Sequence, residues 1–163
     1  MAIAVLAYHS QDIGGNAYDV NDHVALAEDL RRIAASGIAV VPEGADLMPL
    51  VFEPKGSSEN TWALLDAWGL YVVAKHTTAP LLYAHSPSFP IGYRAHPPED
   101  EHPLRIEREV EKSSHDPHAA AELSRVASRH AWILVWGAPP PGFAPTNHRV
   151  AFQRGRLVLL GPS

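Results

Sequence analysis

The apolar run from Ile3 to Tyr8 stops at His9, Ser10 and Gln11, the pattern of a short strand buried on both faces. A polar stretch from Gln11 to Asp22 follows as a loop, with Gly14 and Gly15 supplying backbone freedom. From Asn21 to Ser36 the period changes. Leu26, Leu30 and Ile33 recur at helical spacing beside Ala27 and Ala34, while Glu28, Asp29, Arg31 and Arg32 occupy the other side. Asn21 or Asp22 can cap this helix and Gly37 can stop it. Ile38 to Val41 then reads as a second strand closed by Pro42, completing a strand-helix-strand unit.

The middle of the chain is less periodic. Glu43 to Asn60 reads mainly as loop, with a short strand around Leu50 to Phe52. Thr61 to Trp68 reads as a short helix limited by Gly69, and Leu70 to Ala74 is β-like, ending in Lys75-His76. Pro80 to Ala84 is a further apolar segment ending in His85-Ser86. Prolines between Ser86 and Pro103 remove donors and restrict their neighbours, which excludes a regular helix there.

Ile106 and Val110 are four apart within Leu104 to Lys112, which favours a helix although they also share strand parity. Asp116-Pro117 pairs a capping residue with proline at the first helical position, and Ala120, Leu123 and Ala127 then face a core. Ala131 to Trp136 is strand-like, and Pro139 to Pro141 form a loop. Val150 to Phe152 and Leu157 to Leu160 flank the turn Arg154-Gly155. The fold expected is α/β: a mixed or mainly parallel sheet with flanking helices and a C-terminal β-hairpin, in a single domain over 1–163.

Composition narrows the chemistry. The 163 residues contain no cysteine, which excludes a thiol nucleophile, a redox dithiol and thiolate-held metal but leaves histidine and carboxylate ligands. The formal charge is -5 and the 13 basic residues are scattered, which argues against a nucleic-acid partner. The opening MAIAVLAYHS lacks a basic n-region, and no apolar run reaches membrane length, so the expected setting is cytoplasmic without a membrane partner.

Ligands of open α/β sheets bind outside the carboxyl ends of strands, and His9, His76 and His85 each follow an apolar segment read as a strand. Converging there, three neutral imidazoles would suit a divalent metal ion, zinc first, with a position left for water. Asp12 can serve such a centre as ligand, hydrogen-bond partner or general base. His23, beside the capping Asp22, is a second catalytic candidate, since histidine is the side chain whose ordinary range lies near neutral pH. Strand-terminal histidines also serve as surface or capping groups, and that reading stays open. His115-Asp116-Pro117-His118 reads first as a capped connection. Ser10 and Ser86 adjoin histidines without a triad pattern, and no G-x-S-x-G, Walker, H-E-x-x-H or Rossmann signature is present. Trp62, Trp68, Trp132 and Trp136 either line a sugar cleft or build the core.

The strand ending in Tyr8-His9, the Asn21-Asp22-His23 stretch, the helix carrying Asp29-Leu30, and Gly37 to Val41-Pro42 together resemble the opening of polysaccharide-deacetylase-like proteins over residues 3–42. The resemblance implies a distorted (β/α) barrel and metal-dependent removal of acyl groups from carbohydrates. The family's paired-aspartate strand has no counterpart here, and His115 and His118 stand three apart where the family has two histidines four apart. The reading is thus a metal-dependent hydrolase, with an acylated carbohydrate as substrate class and Tyr8 and Trp136 as substrate-binding residues. A noncatalytic ligand-binding or protein-interaction domain is the alternative, and a homo-oligomer is compatible with either.

Overall fold

The computed structural model describes residues 36–53, 68–80 and 98–163. The expected first strand, nearly all of the Asn21 to Ser36 helix, and Tyr8, His9, Asp12, His23, Trp62 and His85 lie outside the described residues.

Four strands form one mixed sheet: β1 (Leu47–Val51), β2 (Trp132–Trp136), β3 (His148–Arg154) and β4 (Leu157–Pro162), in the order β1-β2-β4-β3. β1 runs parallel to β2, with Leu47 opposite Trp132 and Val51 opposite Trp136. β4 runs antiparallel to β2, and β3 returns antiparallel to β4 through the turn at Gly155, whose φ is 57°. The fold is thus α/β, with a C-terminal antiparallel pair where Arg154-Gly155 marked a hairpin.

Alternation along the strands divides the core into two layers. Met48 and Leu50 of β1 and Ile133 and Val135 of β2 face helices α2 (Pro103–Ser113) and α3 (Pro117–Ala127), meeting Ile106, Leu123, Val126 and Ala127. Leu47, Leu134, Trp136, Leu157 and Leu159 face the other way, toward Val41, Trp68 and Tyr71. Tyr71 belongs to α1 (Gly69–Lys75), so helices flank both faces. In α3 the Asp116 side chain accepts from the His118 amide at 2.8 Å, the expected cap.

Two apolar runs expected as strands are helical. Ile38–Val40 is a 3-10 turn held by Val40 N–H to the Gly37 carbonyl at 3.2 Å and Val41 N–H to the Ile38 carbonyl at 3.3 Å. Of this run only Val41 is buried, so it lacks the surface that strand pairing would hide. Leu70 to Ala74 lies inside α1, where Trp68 and Tyr71 are buried, Val72 is half-buried and Val73 is exposed. Burial at those positions follows a helical stripe, a signal masked by the β-branched pair Val72-Val73. The strand expected at Leu50 to Phe52 begins earlier, at Leu47. Pro49 interrupts its sequence signal but not its pairing, since it stands opposite Leu134.

Candidate functional site: the amino edge of the sheet

The parallel strands β1 and β2 start side by side, and their leading residues collect the most connected polar groups described. Asp46 immediately precedes β1 and its carbonyl accepts from the Trp132 amide at 2.9 Å, locking the two strand starts together. His130, two residues before β2, is held by its amide donating to the Ala127 carbonyl at the end of α3. These backbone anchors bring His130 Nδ1 to 3.0 and 3.1 Å from the two Asp46 carboxylate oxygens. The imidazole is 7 % exposed, whereas the carboxylate side chain is 47 % exposed. The buried ring therefore orients a carboxylate that still meets solvent.

Beyond His130 the polar groups continue past Glu101 to the surface. His130 Nε2 is buried, lies 3.8 Å from a Glu101 carboxylate oxygen, and has no hydrogen-bond partner among the described residues. Arg129 Nη1 donates to Glu101 and to Asp100, each at 3.0 Å. Asp100 also accepts from Arg125 at 2.7 Å, and Arg125 reaches Glu122 at 2.6 and 2.8 Å. Hydrogen bonds from Arg129 and Arg125 hold the Asp100 carboxyl well below the usual carboxylate range. The Arg125 contact lowers Glu122 in the same way, and both arginines are held more firmly protonated.

The loop from Gly142 to Asn147 supplies the other side. Ser124 Oγ and Ser128 Oγ, four apart on one face of α3 and its C-cap, accept from the amides of Ala144 at 2.9 Å and Thr146 at 2.8 Å. Asn147 then adopts the left-handed region at φ 60°, turning the chain into β3. The His148 ring spans the junction, with Nδ1 2.7 Å from the Thr146 carbonyl and Nε2 2.8 Å from the His130 carbonyl. Asp46, Ser128, Arg129, His130, Asn147, His148 and Pro162 line an open cleft of about 290 Å³.

The carboxyl edge, where a ligand was expected, is stitched by the chain itself. Glu53 accepts from the Ala138 amide at 3.1 Å through one oxygen and pairs with Arg156 through the other. Gly137, at φ 95°, makes this possible. A Cβ there would stand 2.6 Å from Glu53 Cγ.

Of the sequence-derived site residues, His76 and Trp136 lie among the described residues. His76 follows a helix rather than a strand, as the left-handed C-cap of α1 with φ 50° and ψ 33°. It lies on the amino side, because Thr78 pairs in parallel with Asp46, the residue just before β1. Its side chain is 79 % exposed and its Nδ1 is 2.5 Å from a Glu43 carboxylate oxygen. Trp136 is buried in the core layer with Trp68, its Nε1 unpartnered among the described residues. Trp132 packs its ring over Gly161, where a Cβ would come within 3.0 Å of it. Asp46 and His130 precede strands and His148 begins one, whereas the pattern of strand-end histidines points to residues that follow a strand. Asp46 before Leu47-Met48 and His130 before Ala131-Trp132 are the local signal available.

Among the described residues no group of three or more His, Asp or Glu side chains is placed to hold a metal ion. No helix among them is long and apolar enough to cross a membrane. Comparison with protein-family models, with curated proteins and with solved structures finds no match.

Proposed function

We propose that the protein is a hydrolase for a small, hydroxyl-rich substrate, an acylated carbohydrate being the class, with the amino-edge cleft as its substrate site. The observation that carries this reading is the Asp46 carboxylate, steered by a buried His130 at 3.0 Å yet 47 % exposed beside a cleft of about 290 Å³. A carboxylate fixed on one side and open on the other can accept a hydroxyl hydrogen bond or take a proton from an attacking water. Asn147 and His148 border the same space, and Pro162 adds an apolar wall against which a sugar ring can rest.

A divalent metal ion belongs to this reading through His76. Metal-bound imidazoles commonly donate their second ring N–H to a carboxylate, and Glu43 stands at that position on His76 Nδ1, leaving Nε2 as a donor atom. His9 and His85 are the proposed companions, and zinc, when bound, would supply a Lewis acid. The residues of the chain orient the substrate and, through Asp46, hold the proton.

The second reading is a binding domain without turnover. It is favoured by how fully Glu101, Arg129, Asp100 and Arg125 satisfy one another, as in a structural network. Acetate release from acetylated chito-oligosaccharide by the zinc-supplemented protein separates the two. The hydrolase reading expects turnover that Asp46→Asn lowers by roughly a hundredfold or more, with folding intact. Saturable binding without acetate release would establish the second reading instead.

A further inference from the structure

Charge is segregated along this chain in a way the cleft does not use. None of residues 123–163 is acidic, and five arginines fall among them. Three of the five are matched: Arg125 and Arg129 by Asp100, and Arg156 by Glu53. Arg149 and Arg154, both exposed on β3, have no ion-pair partner among the described residues.

β3 is the outer strand of the described sheet, with β4 as its one described neighbour. Arg149 and Arg154 are five apart, which in a regular strand would put them on opposite faces. The irregularity between Val150 and Phe152 changes that. Val150 stands opposite Leu160 and Phe152 opposite Leu159, so Ala151 is the extra residue of a bulge. Arg149 is therefore opposite Gly161, Phe152 opposite Leu159, and Arg154 opposite Leu157. Paired residues share a face, so the three side chains form one row, arginine-phenylalanine-arginine, spanning about 13 Å at the ordinary rise per residue. Phe152 is half-buried and packs toward the core, while Val150 is 59 % exposed.

We propose that β3 is a docking edge for an extended acidic peptide that adds as a further strand, with the pattern acidic-x-apolar-x-acidic. In an added strand, residues two and four apart share a face and repeat at the same rise, so two carboxylates would meet Arg149 and Arg154 with an apolar side chain beside Phe152. The unpaired main-chain groups of an outer strand supply affinity, and the two arginines supply the sign selection. A peptide fits better than a nucleic acid because Arg149 and Arg154, about 13 Å apart at the ordinary rise per residue, are a small footprint for a polyanion, on a chain of net charge -5.

The test is fluorescence polarisation with the full chain and a labelled heptapeptide of threonines carrying glutamate, valine and glutamate at its second, fourth and sixth positions. Saturable binding is expected, with a lysine-for-glutamate version at least about tenfold weaker. Arg149→Glu with Arg154→Glu should weaken binding by roughly five- to thirtyfold. Circular dichroism would check that the variant is folded, and Arg149→Gln with Arg154→Gln offers a milder replacement. Methylating alternate peptide amides should abolish binding if main-chain pairing is used. The proposal is overturned if the glutamate peptide does not bind, if the lysine peptide binds as well, or if methylation leaves affinity unchanged. Displacement by a single-stranded oligonucleotide that itself binds more tightly through the same arginines would also overturn it, in favour of nucleic acid.

Discussion

The Nδ1 atom of His130 lies 3.0 and 3.1 Å from the two carboxylate oxygens of Asp46, although 84 residues separate them in sequence. This contact joins the end of α3 to the start of β1 and fixes a half-exposed carboxylate of the cleft. Its two partners sit in different surroundings, so their removal has different costs. Asp46→Ala leaves a ring that retains its packing and should cost about 1 kcal/mol, discounted for the solvent around the carboxylate. His130→Ala opens a cavity at a buried position and also removes the Asp46 contact, and should cost about 2 to 4 kcal/mol. Urea unfolding of the two variants checks the order. Equal costs would show that the ring contributes nothing beyond the pair.

Acid should unravel the Asp100 cluster in a defined range. The folded carboxyl is held below its unfolded value of about 4 by hydrogen bonds from Arg129 and Arg125. A depressed carboxylate contributes stability that is present above the unfolded value and lost as pH falls toward the folded one. Between about pH 4 and about pH 2 the native protein should therefore lose more stability than Asp100→Asn. Urea midpoints measured down that range decide it, and parallel curves would remove Asp100 from the account.

Gly37 and Tyr71 form a tight core contact. A Cβ at position 37 would stand 2.1 Å from the Tyr71 hydroxyl, which is buried without a described partner. Gly37 itself has φ -81° and ψ -38°, open to any residue, so the obstacle is steric. Gly37→Ala should cost about 1 to 3 kcal/mol, Tyr71→Phe alone should change stability by less than about 1 kcal/mol, and the second change should rescue much of the first. Thermal unfolding of the double-mutant cycle measures the coupling.

The sequence pattern gave the C-terminal third almost whole. Asp116-Pro117 capped its helix, Ala131 to Trp136 contained its strand, and Arg154-Gly155 lay at its hairpin, because capping chemistry, a long apolar run and a turn residue agreed at each place. Ile38 to Val41 and Leu70 to Ala74 misled because short β-branched runs carry no decisive period; the first buries only Val41, and in the second the packing of Tyr71 goes with a helix. The site was less legible for a geometric reason. The placing of His76 at a strand end depended on Leu70 to Ala74 being a strand, whereas Asp46 and His130 meet only once β1 and β2 lie parallel.

Ser128 ties the cleft's loop to α3. Ser128→Ala removes the acceptor for the Thr146 amide and should cost about 1 kcal/mol. Hydrogen exchange should quicken at Thr146, and ligand affinity should fall because Asn147 and His148 follow directly. Unchanged exchange at Thr146 would contradict this.

The most direct measurement is a titration of isotopically labelled protein with acetylated chito-oligosaccharide, followed by amide chemical shifts. The account expects saturable shifts centred on Asp46, His130, Asn147 and His148, abolished by Asp46→Ala in a folded protein. Shifts confined to the carboxyl edge around Glu53 and Gly137, or no shifts at saturating ligand, would contradict a substrate site at the amino edge.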